Sequence, residues 1–218
     1  MATKEFLVIG LGRFGGGLAG TLTRMGHDVL GVDADPRTVQ EFSGVLTHVV
    51  EADSTSEAAM RQLGVEDFST AVVAIGTDLE ASILTTAVLA DLGVARIVAK
   101  AVTMAHGRIL ERVGAHRVVF PERDMGIRVA HSLAGSMLDY FELDPGFALV
   151  ESVAPRELVG TSLAAAEVRK RFGVTVVCIK PREGTFTYAT PETVVDEGDV
   201  LVVAGEKARV EAFGELAS

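Results

Sequence analysis

Phe6-Leu7-Val8-Ile9-Gly10-Leu11-Gly12-Arg13-Phe14-Gly15 decides the fold of this chain. Four apolar residues of strand type run into G-x-G-x-x-G, and Gly16 to Met25 reads as the helix that follows. Strand, glycine-rich turn and helix in that order give each glycine a separate duty. Gly10 permits the tight turn, Gly12 lets a phosphate approach the backbone, and Gly15 lets the helix pack close to the strand. Unpaired N–H groups at the helix start then face an anion. A second apolar run, Val29 to Val32, ends at Asp33, where a carboxylate accepts hydrogen bonds from a ribose. The reading is a nucleotide site. Arg13, at a variable position of the loop, is either a solvated surface residue or a planar charged fork for phosphate oxygens. Its neighbours in the loop, Phe14 included, favour phosphate.

The pattern extends outward as apolar runs alternating with helical stretches, which implies a parallel sheet covered on both faces. Strands are expected at Phe6–Ile9, Val29–Val32, His48–Glu51, Ala71–Ile75, Arg96–Ala101 and Arg117–Phe120. Ser54 with Glu57, and Thr77 with Glu80, read as capping boxes; Gly64 and Gly93 read as the stops of the helices that follow. Residues 1–120 thus form an α/β unit, a Rossmann-like doubly wound parallel sheet. Pro121 to Leu138 reads as one amphipathic helix opening on Pro and acids, and Leu143-Asp144-Pro145-Gly146 as a breaker, so 121–143 is expected to be a crossover helix and linker. Residues 144–218 read as a small α+β domain of roughly seventy residues, near the lower end of independently folding size. Its strands are expected at Ala148–Val153, Val174–Ile179, Thr185–Tyr188 and Val200–Val203, with a helix over Ser162–Phe172 and turns at Pro181–Gly184 and Glu197–Asp199.

A chain of 218 residues with net charge −10 carries no basic surface suited to nucleic acid. Cys178 is the single cysteine, so no disulfide framework exists, and its apolar run marks it as a small buried residue. The segment before the first strand lacks a signal-peptide pattern. The longest apolar stretch, Ala81 to Val102, is interrupted by Asp91, Arg96 and Lys100 and is no membrane span. The expectation is a soluble cytosolic protein.

In a doubly wound sheet the ligand lies beyond the carboxyl ends of the strands. Those ends carry Asp33 and Asp35, Asp53 and Ser54, Gly76 and Thr77, Lys100 and Glu122. Asp35 either joins the site or caps the helix at Pro36. Asp53 and Ser54 face the adenine edge or, for Ser54, a helix start. Gly76 allows close backbone approach. Lys100 neutralises phosphate or is a surface lysine. His106 is a lone histidine near Lys100 in sequence, and Glu122 is explained by capping alone. The second domain supplies no histidine and one cysteine, too little for dehydrogenase chemistry beside a nicotinamide. No Walker-type loop is present either. A nucleotide site without evident chemistry suggests a sensor.

VIGLGRFG, RMGHDVLGVD, VVAIG, VAKA and HRVVFPERDMG together resemble the cytosolic RCK (regulator of potassium conductance) subunits of Trk/Ktr-type potassium uptake systems. The resemblance covers nearly the whole chain. It implies a gating-ring subunit, not an enzyme: homodimers assembling into a ring, octameric in the family, beneath an integral-membrane potassium-translocating subunit. The protein would then sit in the cytoplasm at the inner face of the membrane. It implies that ATP and ADP compete for the first domain. Beside it stand two competing readings: a Trk-type regulatory subunit that responds to NAD(H) and, more distantly, an NAD(P)-dependent reductase. By this resemblance Arg13 reaches a terminal phosphate, Glu122 helps hold a divalent cation, Mg in kind, at the dimer interface, and Asp33, Ala34, Asp35, Asp53, Ser54, Ile75, Gly76, Thr77, Lys100 and His106 surround the nucleotide. Related second domains bind cyclic di-AMP. Arg169 matches a phosphate-contacting arginine there, and Val168, Val176 and Pro191 offer apolar walls. Thr175 replaces an asparagine of the binding version and Gly184 a histidine, which favours a plain dimerisation domain.

Overall fold

Apolar strands alternating with helices do build a parallel sheet. The computed structural model describes residues 3–134 and 137–216. Among these, the first unit, Met1–Glu122, runs β1 (Glu5–Ile9), α1 (Arg13–Arg24), β2 (Asp28–Asp33), α2 (Pro36–Phe42), β3 (His48–Glu51), α3 (Glu57–Gln62), β4 (Thr70–Val73), α4 (Leu79–Asp91), β5 (Ile97–Lys100), α5 (Met104–Arg112) and β6 (Arg117–Val119). The strands are all parallel, in the order β3-β2-β1-β4-β5-β6. Strand order reverses between β1 and β4, the switch point where ligands of such sheets bind.

Alternate side chains of β1 serve opposite faces. Leu7 and Ile9 enter the cluster with Val32, Met60, Val73, Leu89, Ile97 and Leu110, whereas Val8 joins Leu11, Ala19, Val29, Leu46 and Val72. Burying each such side chain contributes roughly 1.5–3 kcal/mol.

Local details depart from the sequence expectation. Helix α1 begins at Arg13 rather than Gly16, so Arg13 is its first residue and not a loop residue. Helix α3 is capped by Ser56, whose Oγ accepts from the Ala59 N–H, and α4 by Asp78, whose carboxylate accepts from the Ala81 N–H. Asp is a stronger cap than Thr77. Ser54 is drawn instead into a buried hydroxyl pair with Thr85 of α4, 2.8 Å apart.

The second unit, Arg123–Ser218, is built on an antiparallel sheet. A helix, α6 (Pro121–Ala134), precedes β7 (Met137–Asp144), β8 (Phe147–Val153), α7 (Val168–Phe172), β9 (Val174–Lys180), β10 (Thr187–Tyr188), β11 (Val200–Glu206) and α8 (Lys207–Glu215). The sheet order is β10-β9-β11-β8-β7. Tyr140, Val150, Ile179, Leu201, Val203 and Phe213 form its core.

The linker expected within 121–143 is not found. Residues 135 and 136, which fall in the expected long helix, lie outside the described residues, and Met137–Asp144 is a strand. Its register against β8 shifts at Met137/Asp139 and at Glu142/Asp144. Each irregularity breaks the period-2 pattern by which a strand is read from sequence. The breaker is the hairpin turn between β7 and β8, with Pro145 and then Gly146 at φ +90° in its centre.

The expected helix over 162–172 shrinks to α7. Upstream, Leu163 and Ala164 donate backbone hydrogen bonds to the Thr193 and Pro191 carbonyls, which takes this segment out of helical pairing. Cys178 is half-buried rather than buried. Helix α8 and strand β7 were not foreseen. No helix among the described residues is long and apolar enough to cross a membrane.

Candidate functional site

The carboxyl ends of the parallel strands converge on a cleft of about 620 Å³. Gly10, Gly12, Arg13, Phe14, Asp33, Ala34, Asp53, Ser54, Ile75, Gly76, Thr77, Lys100 and Glu122 line it, so most of the sequence-derived set is brought together. Gly15, Asp35 and His106 do not line it.

The three motif glycines divide sharply. Gly10 has φ +88° and donates its N–H to the Val32 carbonyl at 2.8 Å; the backbone turn requires a residue without Cβ strain. At Gly15 a Cβ would stand 1.9 Å from the Gly10 carbonyl oxygen and 2.8 Å from the Ala74 Cβ. Packing of α1 on the sheet forbids any side chain there. At Gly12 a Cβ meets no atom within 4 Å, and its φ of −65° suits any residue. Nothing in the fold of this chain requires glycine at that position.

Gly12 is also the N-cap of α1 and supplies no side-chain hydrogen bond. Helices α2 to α5 are each capped, by Asp35, Ser56, Asp78 and Thr103. The first-turn N–H groups of α1 therefore keep their donor capacity and the positive end of the dipole for the cleft. Asp35 serves as the cap of α2, through the Arg37 N–H, and not as a wall of the cleft.

Asp33 is a structural partner of the glycine loop. One carboxylate oxygen accepts from the Leu11 N–H at 2.7 Å and the other from the Asp35 N–H at 2.9 Å. A carboxylate has about four acceptor positions, so capacity for ribose hydroxyls remains at the cleft wall. Asp53 accepts from the Thr55 N–H and hydroxyl, which holds its carboxyl below the usual range. Thr55, Asp78 and Val102 also line the cleft and were missed. Asp78 and Thr55 carried a legible signal, as polar residues next to the strand ends; Val102 carried none.

Lys100 ends β5 and is 9% exposed. Its ammonium lies 2.6 Å from Oε1 of Glu122, and a Cβ at Gly76 would come within 2.9 Å of it. That hydrogen bond from Lys100, helped by the Lys100 and Arg13 charges, holds the Glu122 carboxyl below the usual range. Arg13 itself makes no hydrogen bond or ion pair with the described residues.

His106 stands in α5 and is 3% exposed. Its Nδ1 accepts from the Val102 N–H at 3.4 Å, while Nε2 is buried without a hydrogen-bond partner among the described residues. Burial pushes its pKa down. It is buried and does not line the cleft.

A metal set is not assembled among the described residues. Glu122 is engaged by Lys100, and no group of three His, Cys, Asp or Glu side chains capable of holding an ion occurs among the described residues.

A second cleft of about 390 Å³ lies in the second unit, lined by Val168, Arg169, Thr175, Val176 and Pro191 among others. Here Nε of Arg169 donates to the Thr175 hydroxyl at 3.2 Å.

Comparison with known proteins matches the TrkA-N domain to residues 6–121 and the TrkA-C domain to residues 148–218. Ktr system potassium uptake proteins A and C of Bacillus subtilis (strain 168) are each 39% identical over 211 residues. The alignments cover 96% of this chain and 95% and 96% of those proteins. The chain belongs to the Ktr potassium uptake protein family. Among solved structures, the RCK domain of GsuK superposes over 100% of this chain and 48% of its own, at a TM-score of 0.71 and 19% identity. The GsuK channel bound to NAD does so over 100% and 40%, at 0.70 and 18%. GsuK bound to ADP matches 60% and 34%, at 0.53 and 18%. At such identity the likeness is one of fold. The chain spans less than half the length of those channel proteins.

Proposed function

We propose that this protein is a nucleotide-sensing regulatory subunit of a potassium uptake system. Its first unit reads the phosphates of ATP and ADP, and its second serves dimerisation within a ring of copies. The ring docks on a membrane-embedded potassium-translocating protein, which keeps this chain in the cytoplasm at the inner membrane face. Family membership supports the transport role. One observation carries the nucleotide role: Gly12 is open toward the cleft, at the uncapped start of α1, where no contact within the protein demands glycine.

In this reading a phosphate lies against the first-turn N–H groups of α1, where dipole and unpaired donors favour an anion. Arg13 adds a charged fork at the rim, Lys100 a buried ammonium on the floor, and Asp33 holds the loop while accepting ribose hydroxyls. The ligand acts by preferring one arrangement of the assembly over another, since equal affinity for both would shift nothing. No chemical step is assigned.

NAD(H) is the second reading, favoured by the fold shared with the NAD-bound channel along the whole chain. Asp33 serves either ligand, because both carry an adenosine ribose. Titration calorimetry of ATP, ADP, NAD and NADH into wild type and Arg13→Ala separates them. The expected result is ATP binding weakened about tenfold by the substitution, the loss of one charge-assisted contact, with ADP less affected. Tight NADH binding indifferent to Arg13 moves the protein to the second reading, and steady cofactor turnover with a carbonyl substrate makes it a reductase.

A further inference from the structure

Lys100 raises a question that the nucleotide reading leaves open. An ammonium group 9% exposed needs a compensating anion at all times, because an unpaired buried charge is costly. Among the described residues its ion-pair partner is Glu122, at 2.6 Å. The face of Phe14, with its centroid 5.9 Å away, offers a weaker contact. All three residues line the same cleft as Gly12.

The pair is lopsided. The Glu122 side chain is 62% exposed, whereas that of Lys100 is 11% exposed. Glu122 therefore regains water at little cost when the pair opens, while Lys100 stays at the end of β5 and must find another anion. Arg13 also acts on Glu122 through space. One carboxylate thus holds the attention of both cations that the nucleotide reading assigns to phosphate.

We propose that Glu122 is a resident counter-ion, a stand-in for phosphate, and that a nucleotide enters by displacing it from Lys100. The inference rests on the nucleotide reading and assigns regulation to that site. Phosphate brings more charge and more acceptor oxygens to Lys100 than a single carboxylate does, so it wins the exchange. Adenosine offers no such anion and leaves the pair closed. Glu122 thereby sets a charge threshold: the cleft answers to phosphate and not to the nucleoside. Release is registered at the second residue of α6, so occupancy of the floor is converted into a freed carboxylate at a helix start.

The test is calorimetric titration of ADP and of adenosine, with divalent cations chelated, into wild type, Glu122→Gln, Lys100→Met and the double variant. Removing the competitor is expected to tighten ADP roughly fivefold, the scale of a half-exposed ion pair, and to leave adenosine unchanged. In the Lys100→Met background the Glu122 substitution is expected to have no effect on ADP. Glu122 is mostly exposed, so its variant folds, and the double variant guards against misreading a general change of charge. Unchanged or weakened ADP binding in Glu122→Gln overturns the proposal, as does an equal gain with Lys100 absent. If neither wild type nor Glu122→Gln takes up ADP, the ATP and ADP reading falls and this inference with it; ADP binding unmoved by Glu122 removes the inference alone.

Discussion

The two units use opposite strand arrangements, and the difference decides what each can build. In the first unit every strand of the sheet points the same way, so the βα junctions open on one edge. Loops from β1, β2, β3, β4 and β5 converge there, and polar residues far apart in sequence meet in one cleft. In the second unit neighbouring strands run in opposite directions, and successive loops leave from opposite ends. Its cleft is smaller and its arginine is tied to a threonine of its own chain. Parallel topology concentrates functional groups, whereas antiparallel topology spreads them out.

The largest expected effect breaks the first unit outright. Gly15→Val places a side chain against the Gly10 carbonyl and the Ala74 Cβ. Backbone and helix must then shift, at a cost of about 3 kcal/mol or more. Thermal unfolding by circular dichroism is expected to show the first unit lost or melting early, with the antiparallel unit retaining its own transition.

Gly12→Ser sharpens the comparison between glycines of one motif. Serine is a good helix cap, and a Cβ at this position meets no atom of the described residues within 4 Å. Stability is expected to stay within about 0.5 kcal/mol. Adenine-nucleotide affinity is expected to fall about tenfold or more, a loss of at least ~1.4 kcal/mol. Retained affinity would break the argument that this glycine serves the ligand.

In the second unit the bidentate pair between Arg128 and Asp139, at 2.7 and 3.1 Å, is a stabilising element. Arg128 also lies 4.2 Å over the Phe141 ring. Asp139→Asn is expected to cost about 1 kcal/mol in urea unfolding, reduced by partial solvent exposure, and to leave nucleotide affinity untouched. The arginine holds the Asp139 carboxyl below its usual range. Its contribution is therefore present above the ordinary carboxylate pKa, about 3.9, and is lost as acid carries the pH down through the lower folded value.

His106 supplies the smallest effect. Burial depresses its pKa, so the folded first unit disfavours the proton that the unfolded chain accepts. Stability is full above the ordinary histidine pKa of about 6.5 and declines as pH falls below it. Melting curves between pH 7.5 and pH 5.5 are expected to show a smaller decline in His106→Leu than in wild type. An equal decline in both would assign the acid sensitivity elsewhere.

Legibility followed the same division. In the first unit strands and helices alternate with intact periodicity, and Asp33, Asp53, Gly76 and Lys100 stand at or just after the carboxyl ends of strands, so position alone marks them as cleft residues. Caps were misplaced by one or two residues, because Ser54, Ser56, Thr77 and Asp78 are all capable caps and a buried hydroxyl partner, Thr85, decided between two of them. In the second unit the sequence of β7 reads as helix and linker, since its register shifts erase the alternation that marks a strand.

The order of apolar runs, the glycine spacing and the carboxylate that ends β2 are local properties of the chain, and they determined the parallel sheet, the loop and the place of the cleft. Tertiary structure decided which glycine packing demands and which it leaves open to the cleft, because that depends on what a missing Cβ would touch. It also decided that Asp35 is a cap, that His106 is buried, and that Lys100 is held by Glu122. Each of those outcomes depends on residues distant in sequence meeting in space, where burial sets the cost of leaving a charge or a donor without a partner.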